Sequence, residues 1–95
     1  MGNLGTTVVT VSLEVMIRYF FDLRSGDVVS VDEEGRMLED IEAAHQEAVG
    51  SLADGIVGIV VEGQSDQHVA VDVRDELGPV FEVSAVFSSK ILRKQ

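Results

Sequence analysis

The sequence contains no cysteine and no tryptophan, and only one proline and two histidines among its 95 residues. Without cysteine it can form no disulfide, no thiolate nucleophile and no cysteine-based zinc site. His45 and His68 are too far apart in the sequence for a paired metal-binding motif such as H-x-x-x-H. No serine lies in a G-x-S-x-G motif, and no glycine-rich phosphate loop is present. We therefore predict no catalytic residue, no metal site and no cofactor.

Basic residues are also scarce, because 7 Lys and Arg face 17 Asp and Glu, which gives a net charge of −10. Residues 27–76 hold fourteen of these acids against Arg36 and Arg74, so the middle of the chain has a local charge of −12. A field of this sign repels phosphate backbones, which predicts no nucleic-acid partner and is compatible with a basic protein partner. The alternative interpretation is that the acids only keep a small domain in solution.

Long hydrophobic runs are absent as well. The apolar run at the end of the predicted helix covers residues 56–61, far fewer than the ~20 residues needed to span a bilayer. Residues 1–15 have no basic start and are interrupted by Glu14, unlike a signal peptide. We expect no membrane association and a cytoplasmic location.

Apolar and polar residues alternate from Val9 to Leu23, which is the period-2 pattern of a β-strand. A single strand over residues 8–24 would be about 55 Å long. Because a domain of this size cannot pair such a strand, we expect it to bend, break or extend onto a second chain. Met16 is a natural start of the compact part. We predict one domain over residues 16–95 and an extension over 1–15 that is flexible, strand-forming or an over-long gene start.

The rest of the chain alternates turns with short periodic segments. Ser25-Gly26-Asp27 predicts a hairpin turn before a strand at 28–31, and Met37-Leu38 is a brief extended piece. Strand patterns return at 69–74 and 81–87. Between Leu38 and the strand pattern at 69–74, Asp40 predicts the N-cap of a helix. The apolar stripe of this helix is Ile41, Ala44, Ala48, Leu52, Ile56 and Ile59.

These elements predict an α+β fold in ββαββ order, with a four-stranded, mainly antiparallel sheet and one helix packed on one face. An extended N-terminal arm or extra strand would precede it. The helix should cover the face lined by Tyr19, Phe21, Val69, Val71, Phe81 and Val83. An apolar-Asp-apolar-Arg pattern occurs twice, at 21–24 and 71–74. It indicates either a pseudo-repeat or two hairpins with the same physical need.

The second half of the helix is apolar most of the way round, with Val57 and Val60 outside the stripe. A helix end of this kind needs cover on more than one side, which predicts a homodimer with these two valines at a contact. Gly50, Gly55 and Gly58 indicate either close backbone packing or an early-ending helix.

On the other face of the sheet, alternation places Arg18, Phe20 and Asp22 away from the core. Phe20 is the aromatic residue expected on this face, so these three residues are the second candidate contact with a partner. Carboxylates such as Asp22, Asp32 and Asp72 could instead bind a divalent cation.

Residues 18–24 (Arg-Tyr-Phe-Phe-Asp-Leu-Arg) with Gly26, residues 32–35 (Asp-Glu-Glu-Gly), residues 40–44 (Asp-Ile-Glu-Ala-Ala) and residues 71–75 (Val-Asp-Val-Arg-Asp) form an ordered set of motifs. In this set the chain resembles a family of short bacterial proteins of unknown function, common in alphaproteobacteria, over about residues 16–87. The resemblance implies a ββαββ module and no activity, cofactor or catalytic residue.

Three functions remain open at this point. The first is a non-enzymatic interaction module that binds a protein, supported by the acidic middle of the chain and the missing catalytic motifs. The second is an antitoxin-like or regulatory protein, which rests on fold analogy. The third is a metal-dependent enzyme that uses carboxylates.

Overall fold

The structure, a computed structural model, describes residues 16–61 and 67–93. Its elements are β1 (Ile17–Ser25), β2 (Val28–Ser30), β3 (Arg36–Leu38), α1 (Ile41–Val61), β4 (Gln67–Asp75) and β5 (Gly78–Phe87). The predicted α+β fold, with one helix packed on an antiparallel sheet, is confirmed. The sheet has five strands rather than the predicted four, because the extended piece before the helix is a short additional strand. The predictions for residues 1–15 lie outside the described residues.

The sheet is antiparallel, and its strands lie in the order β2-β1-β4-β5. The outer edge of β1 is shared between two short strands. Its last residues pair with β2, from Leu23 opposite Ser30 to Ser25 opposite Val28. Its first residues pair with β3, from Ile17 opposite Leu38 onward. The residues between these two ladders, 20–22, need a different partner on this edge, because neither short strand reaches them.

The core lies between α1 and one face of the sheet. Tyr19, Ala44, Ala48, Val71 and Val73 are its buried centre, and Phe21, Leu23, Phe81 and Val83 pack against it. The predicted helix-facing side of the sheet is therefore confirmed. Two alanines at the contact let the helix backbone approach the sheet closely.

The predicted apolar stripe of α1 does not hold at its first member. Ile41 is 56% exposed, because it is the first residue of the helix and precedes the turns that lie over the sheet. Asp40 is the N-cap, as predicted: its Oδ1 accepts the Ala43 N–H at 2.9 Å, and its carbonyl accepts the Ala44 N–H at 3.1 Å.

A β-bulge interrupts the pairing of β4 with β5. Val73 lies opposite Phe81, but Arg74 lies opposite Pro79, so Val80 is an extra residue. Proline is tolerated at such a site, since bulges and edge strands need fewer ladder hydrogen bonds. Because of the bulge, two consecutive residues of β5, Val80 and Phe81, both pack against the core.

The three helix glycines differ in their surroundings, and α1 continues past all of them. A Cβ at Gly55 would lie 3.2 Å from Val69 Cγ1 and 3.5 Å from Leu23 Cδ1, whereas a Cβ at Gly50 would meet nothing within 4 Å. Close packing against the sheet therefore applies to Gly55, and the early-ending helix was the wrong alternative.

Replacing Gly50 by alanine is expected to stabilise the protein by up to about 1 kcal/mol, since alanine has the higher helix propensity. Gly55→Ala should gain clearly less, or lose stability, because the new methyl group presses on Val69 and Leu23. Urea unfolding of the two variants and the wild type tests this. Equal gains in the two variants would contradict a close approach at Gly55.

Candidate functional site

The face of the sheet opposite α1, called the open face below, carries the polar residues of the long strands. Its residues include Arg18, Phe20, Asp22, Arg24, Asp72, Arg74 and Glu82. Strand register places Phe20 opposite Arg74 and Asp22 opposite Asp72, which in turn lies opposite Glu82. The three predicted contact residues of β1 thus share this face. A row of three carboxylates is repulsive unless positive charge lies beside it.

Arg24 supplies part of that charge. Its Nε donates to Asp72 Oδ2 at 3.2 Å and its Nη2 to Asp72 Oδ1 at 3.1 Å, and Nη2 also binds Glu82 Oε2. The hydrogen bonds from Arg24 hold the pKa of Asp72 below its ordinary value, although partial burial opposes this shift. The bonds to Asp72 and Glu82 raise the pKa of Arg24. Arg24 thereby pairs with two of the three carboxylates, and its single positive charge offsets one of their two negative charges.

Arg74 neutralises the third. Its Nε donates to Asp22 Oδ2 at 2.8 Å, and its Nη2 donates to the Asp32 carbonyl at 2.9 Å. Its Cζ lies 4.3 Å from the centroid of the Phe20 ring, within the range of a cation–π interaction. The hydrogen bond to Asp22 raises the pKa of Arg74. The aromatic residue predicted to meet a partner is therefore half-buried beneath an arginine of its own domain.

The two apolar-Asp-apolar-Arg segments pair with each other across β1 and β4. Arg24 binds Asp72, and Arg74 binds Asp22, so the arginine of each segment neutralises the aspartate of the other. The physical need that the two segments share is therefore one aspartate and one arginine on the open face, each paired diagonally with the opposite charge of the other segment.

Asp32 provides the missing partner for the middle of β1. Its Oδ2 accepts the Phe21 N–H at 3.0 Å, and its Oδ1 accepts the N–H groups of Glu34 at 3.1 Å and Gly35 at 3.0 Å. Its own N–H donates to Asp22 Oδ1 at 2.9 Å. The loop of residues 31–35, called the Asp32 loop below, is thus fastened to β1 between its two short partner strands.

The environment of Asp32 favours its ionised form. Partial burial pushes its pKa upward, but the N–H groups of Gly35, Phe21 and Glu34 and the charge of Arg74 outweigh it, so the pKa lies below its ordinary value. The arrangement suits a carboxylate that is ionised at neutral pH and accepts hydrogen bonds.

The carboxylates considered for a divalent cation already have protein donors. Asp22 and Asp72 are bound by arginines, and both oxygens of Asp32 accept backbone N–H groups. Within residues 16–61 and 67–93, no group of three or more His, Asp or Glu side chains is placed to hold a metal ion. The structure brings these three residues close through arginine and backbone rather than around a common centre.

The predicted contact on the helix is outside the open face. Val57 is 59% exposed, while the side chain of Val60 lies outside the described residues. A groove of about 800 Å³ runs beside this part of α1, with Phe21, Leu23, Gly55 and Ile59 among its lining residues. The homodimer stays a prediction.

A second concave region lies at the N-terminal end of α1. This region is an open depression of about 800 Å³ and is called the acidic hollow below. Its lining residues are Ile17, Tyr19, Glu39, Asp40, Ile41, Glu42, His45 and Asp75. His45 stands at its rim, with its ring centroid 5.8 Å from that of Phe81. Four of the lining residues are acidic.

Sequence reasoning missed this hollow because each acid already had a local explanation. Asp40 is a helix cap, Glu39 and Glu42 suit the positive end of a helix dipole, and Asp75 begins a turn. Their meeting depends on the strand register, which local sequence patterns do not specify. Since Phe20 lies opposite Arg74, the next residues outward, Tyr19 and Asp75, meet at the same end of the sheet as the helix cap.

The fold is that of a small α+β domain in which one helix covers an antiparallel sheet. Residues 18–86 match a family described as a domain of unknown function (DUF6894), and the chain belongs to that family. No curated protein and no solved structure matches the chain. Among the described residues, no helix is both long and apolar enough to cross a membrane.

Proposed function

We propose that this protein is a non-enzymatic interaction module that binds a basic protein. The observation that carries the proposal is the separation of its charges. Arg24 and Arg74 neutralise carboxylates on the open face, and Arg36 binds Glu47 on the helix. Over the described ranges, no salt bridge involves the four acids of the hollow.

The two surfaces therefore differ in what they offer a partner. On the open face, arginines are interleaved with the acids, and each hydrogen bond between them would have to break for a partner to take its place. At the acidic hollow the charges are of one sign and are accessible. Such a patch attracts a positively charged surface and accelerates the encounter with it.

The proposal predicts selective, salt-sensitive binding of a basic peptide. A fluorescent nine-residue peptide of alternating lysine and alanine should bind in an anisotropy titration at low salt, and a glutamate-alanine peptide should not. Screening by added salt should weaken the complex, because the Debye length falls from about 30 Å at 0.01 M to about 10 Å at 0.1 M.

A pair of matched variants separates this surface from general acidity. Glu39→Gln with Glu42→Gln should weaken binding about tenfold. Asp27→Asn with Asp54→Asn removes the same amount of charge from exposed positions outside the hollow and should change affinity less than about twofold. Equal losses in the two double variants, or no preference for the basic peptide, would overturn the proposal.

A further inference from the structure

Tyr19 ends in a hydroxyl group that the fold leaves unused. The residue is only 1% exposed, and no hydrogen bond within the described ranges involves its hydroxyl. No fully buried side-chain oxygen there lacks a partner, so the hydroxyl must keep contact with solvent. Since Tyr19 lines the acidic hollow, the hydroxyl opens at its floor. A nearly buried polar group aimed into a concave site marks a place for a ligand atom.

Two carboxylates beside this hydroxyl are each half engaged. Asp40 Oδ1 accepts the Ala43 N–H at 2.9 Å, and Asp75 Oδ1 accepts the Leu77 N–H at 2.8 Å. The Oδ2 atom of each makes no hydrogen bond with another described residue. Burial raises the pKa of Tyr19, and the charges of Asp75 and Asp40 raise it further, so both carboxylates act electrostatically on the phenol.

The hollow also has an apolar wall. Ile17 is 40% exposed and Ile41 is 56% exposed, and both lie among its lining residues. Aliphatic surface next to carboxylates fits a side chain with a hydrocarbon stem and a charged head. Glu39 and Glu42 also line the hollow and add negative charge to it.

We propose that the acidic hollow binds one lysine side chain of the protein partner, with its ammonium group between the Tyr19 hydroxyl, Asp40 and Asp75. This inference rests on the proposed function and specifies its recognition site. An ammonium group has three donors that point in different directions. It can use single oxygens on three residues, whereas the planar fork of arginine favours a carboxylate with both oxygens available. Neither Asp40 nor Asp75 offers that.

The test measures the affinity of the lysine-alanine peptide for three single variants. Tyr19→Phe retains the buried ring and removes the hydroxyl, and it should weaken binding about fivefold. Asp75→Asn should weaken it about tenfold, since it removes a charge at the ammonium. Glu76→Gln, an exposed neighbour outside the hollow, should leave affinity within about twofold of wild type.

A second measurement reads the site directly. The probe is lysine acetylated at its α-amino group and carrying a C-terminal methylamide, so that its side-chain ammonium group is free. On titration with this probe, the NMR methyl signals of Ile17 and Ile41 should shift in the wild type. The corresponding norleucine compound, which lacks the ammonium group, should leave these signals in place. Thermal unfolding checks each variant. If Asp75→Asn does not fold, Tyr19→Phe and the methyl shifts still decide the matter.

The outcomes separate the two proposals. If the wild type shows no preference for the basic peptide over the acidic one, the proposed function is overturned. Retained preference with Tyr19→Phe and Asp75→Asn as tight as Glu76→Gln would overturn only the lysine site. Tighter binding of an arginine-alanine peptide would contradict the choice of lysine.

Discussion

Replacing Asp32 by alanine is expected to lower the free energy of unfolding by about 2–4 kcal/mol. The carboxylate accepts the N–H groups of Phe21, Glu34 and Gly35, and alanine leaves all three without that acceptor. The lost hydrogen bond to the Phe21 N–H should contribute most, because this group lies in the middle of β1, where neither β2 nor β3 offers an acceptor. Urea unfolding measures the loss.

Glu33→Ala is the matched control for this prediction. Glu33 belongs to the same loop and is exposed, so its removal should change stability by no more than about 0.5 kcal/mol. A loss from Asp32→Ala as small as that from Glu33→Ala would mean that the Asp32 loop is not held by the carboxylate.

The same site predicts how stability depends on pH. The pKa of Asp32 is lower in the folded protein than its ordinary value, so the folded state holds this proton more weakly than the unfolded chain. The stabilisation is therefore fully present above about pH 4 and is lost as the pH falls through the lower, folded pKa. Asp32→Asn should be less stable than wild type at pH 7, and the difference should shrink toward pH 2. A constant difference would contradict the shift.

Replacing Gly35 by alanine should also cost about 2–4 kcal/mol. Gly35 has a φ of 72°, which non-glycine residues adopt at a cost. In addition, a Cβ at this position would lie 2.9 Å from the Tyr19 carbonyl oxygen, the Arg18 Cγ and the Phe20 ring. The carbonyl oxygen belongs to the backbone of β1 and cannot move without disturbing the sheet.

Two further variants separate the dihedral cost from the contact. Gly26→Ala places alanine at a φ of 58°, but its nearest neighbour is the end of the Gln67 side chain, which can move. We expect a loss of only about 1–2 kcal/mol there. Gly35→Asn should not recover stability, although asparagine tolerates this conformation. If Gly35→Ala is no worse than Gly26→Ala in urea unfolding, the close approach to β1 is unimportant.

The open face of the sheet has a structural explanation that bears on function. A single helix covers only one face of a sheet, and the other face must be compatible with water. Here the long strands do this with paired arginines and aspartates, and the Asp32 loop fills the gap along the outer edge of β1. Because the acids of this face are paired with arginines of the same domain, we propose the hollow rather than this face as the site for a basic partner.

The order and type of the main elements followed from the sequence alone, because period-2 alternation and the Asp40 cap are local features. The same holds for the buried side of the sheet, since Tyr19 and Phe21 alternate with the polar residues of β1. Pairing of the two Asp-Arg segments was visible only as a repeated pattern. Their diagonal exchange needed the strand register, which places residues about fifty positions apart side by side.

Other features were decided by the tertiary structure. Ile41 fits the apolar stripe of α1 by its spacing, yet it lies beyond the sheet, because periodicity does not specify where a helix begins to be covered. Asp32 sits in an acidic turn motif, and its bonds to the N–H groups of Glu34 and Gly35 are local. Its bond to the Phe21 N–H depends on the gap between β2 and β3, which the turn motif does not indicate. Tyr19 was correctly predicted as a core residue. That its hydroxyl reaches an acidic hollow depends on three separate elements meeting at one end of the sheet, and no local pattern encodes such a meeting.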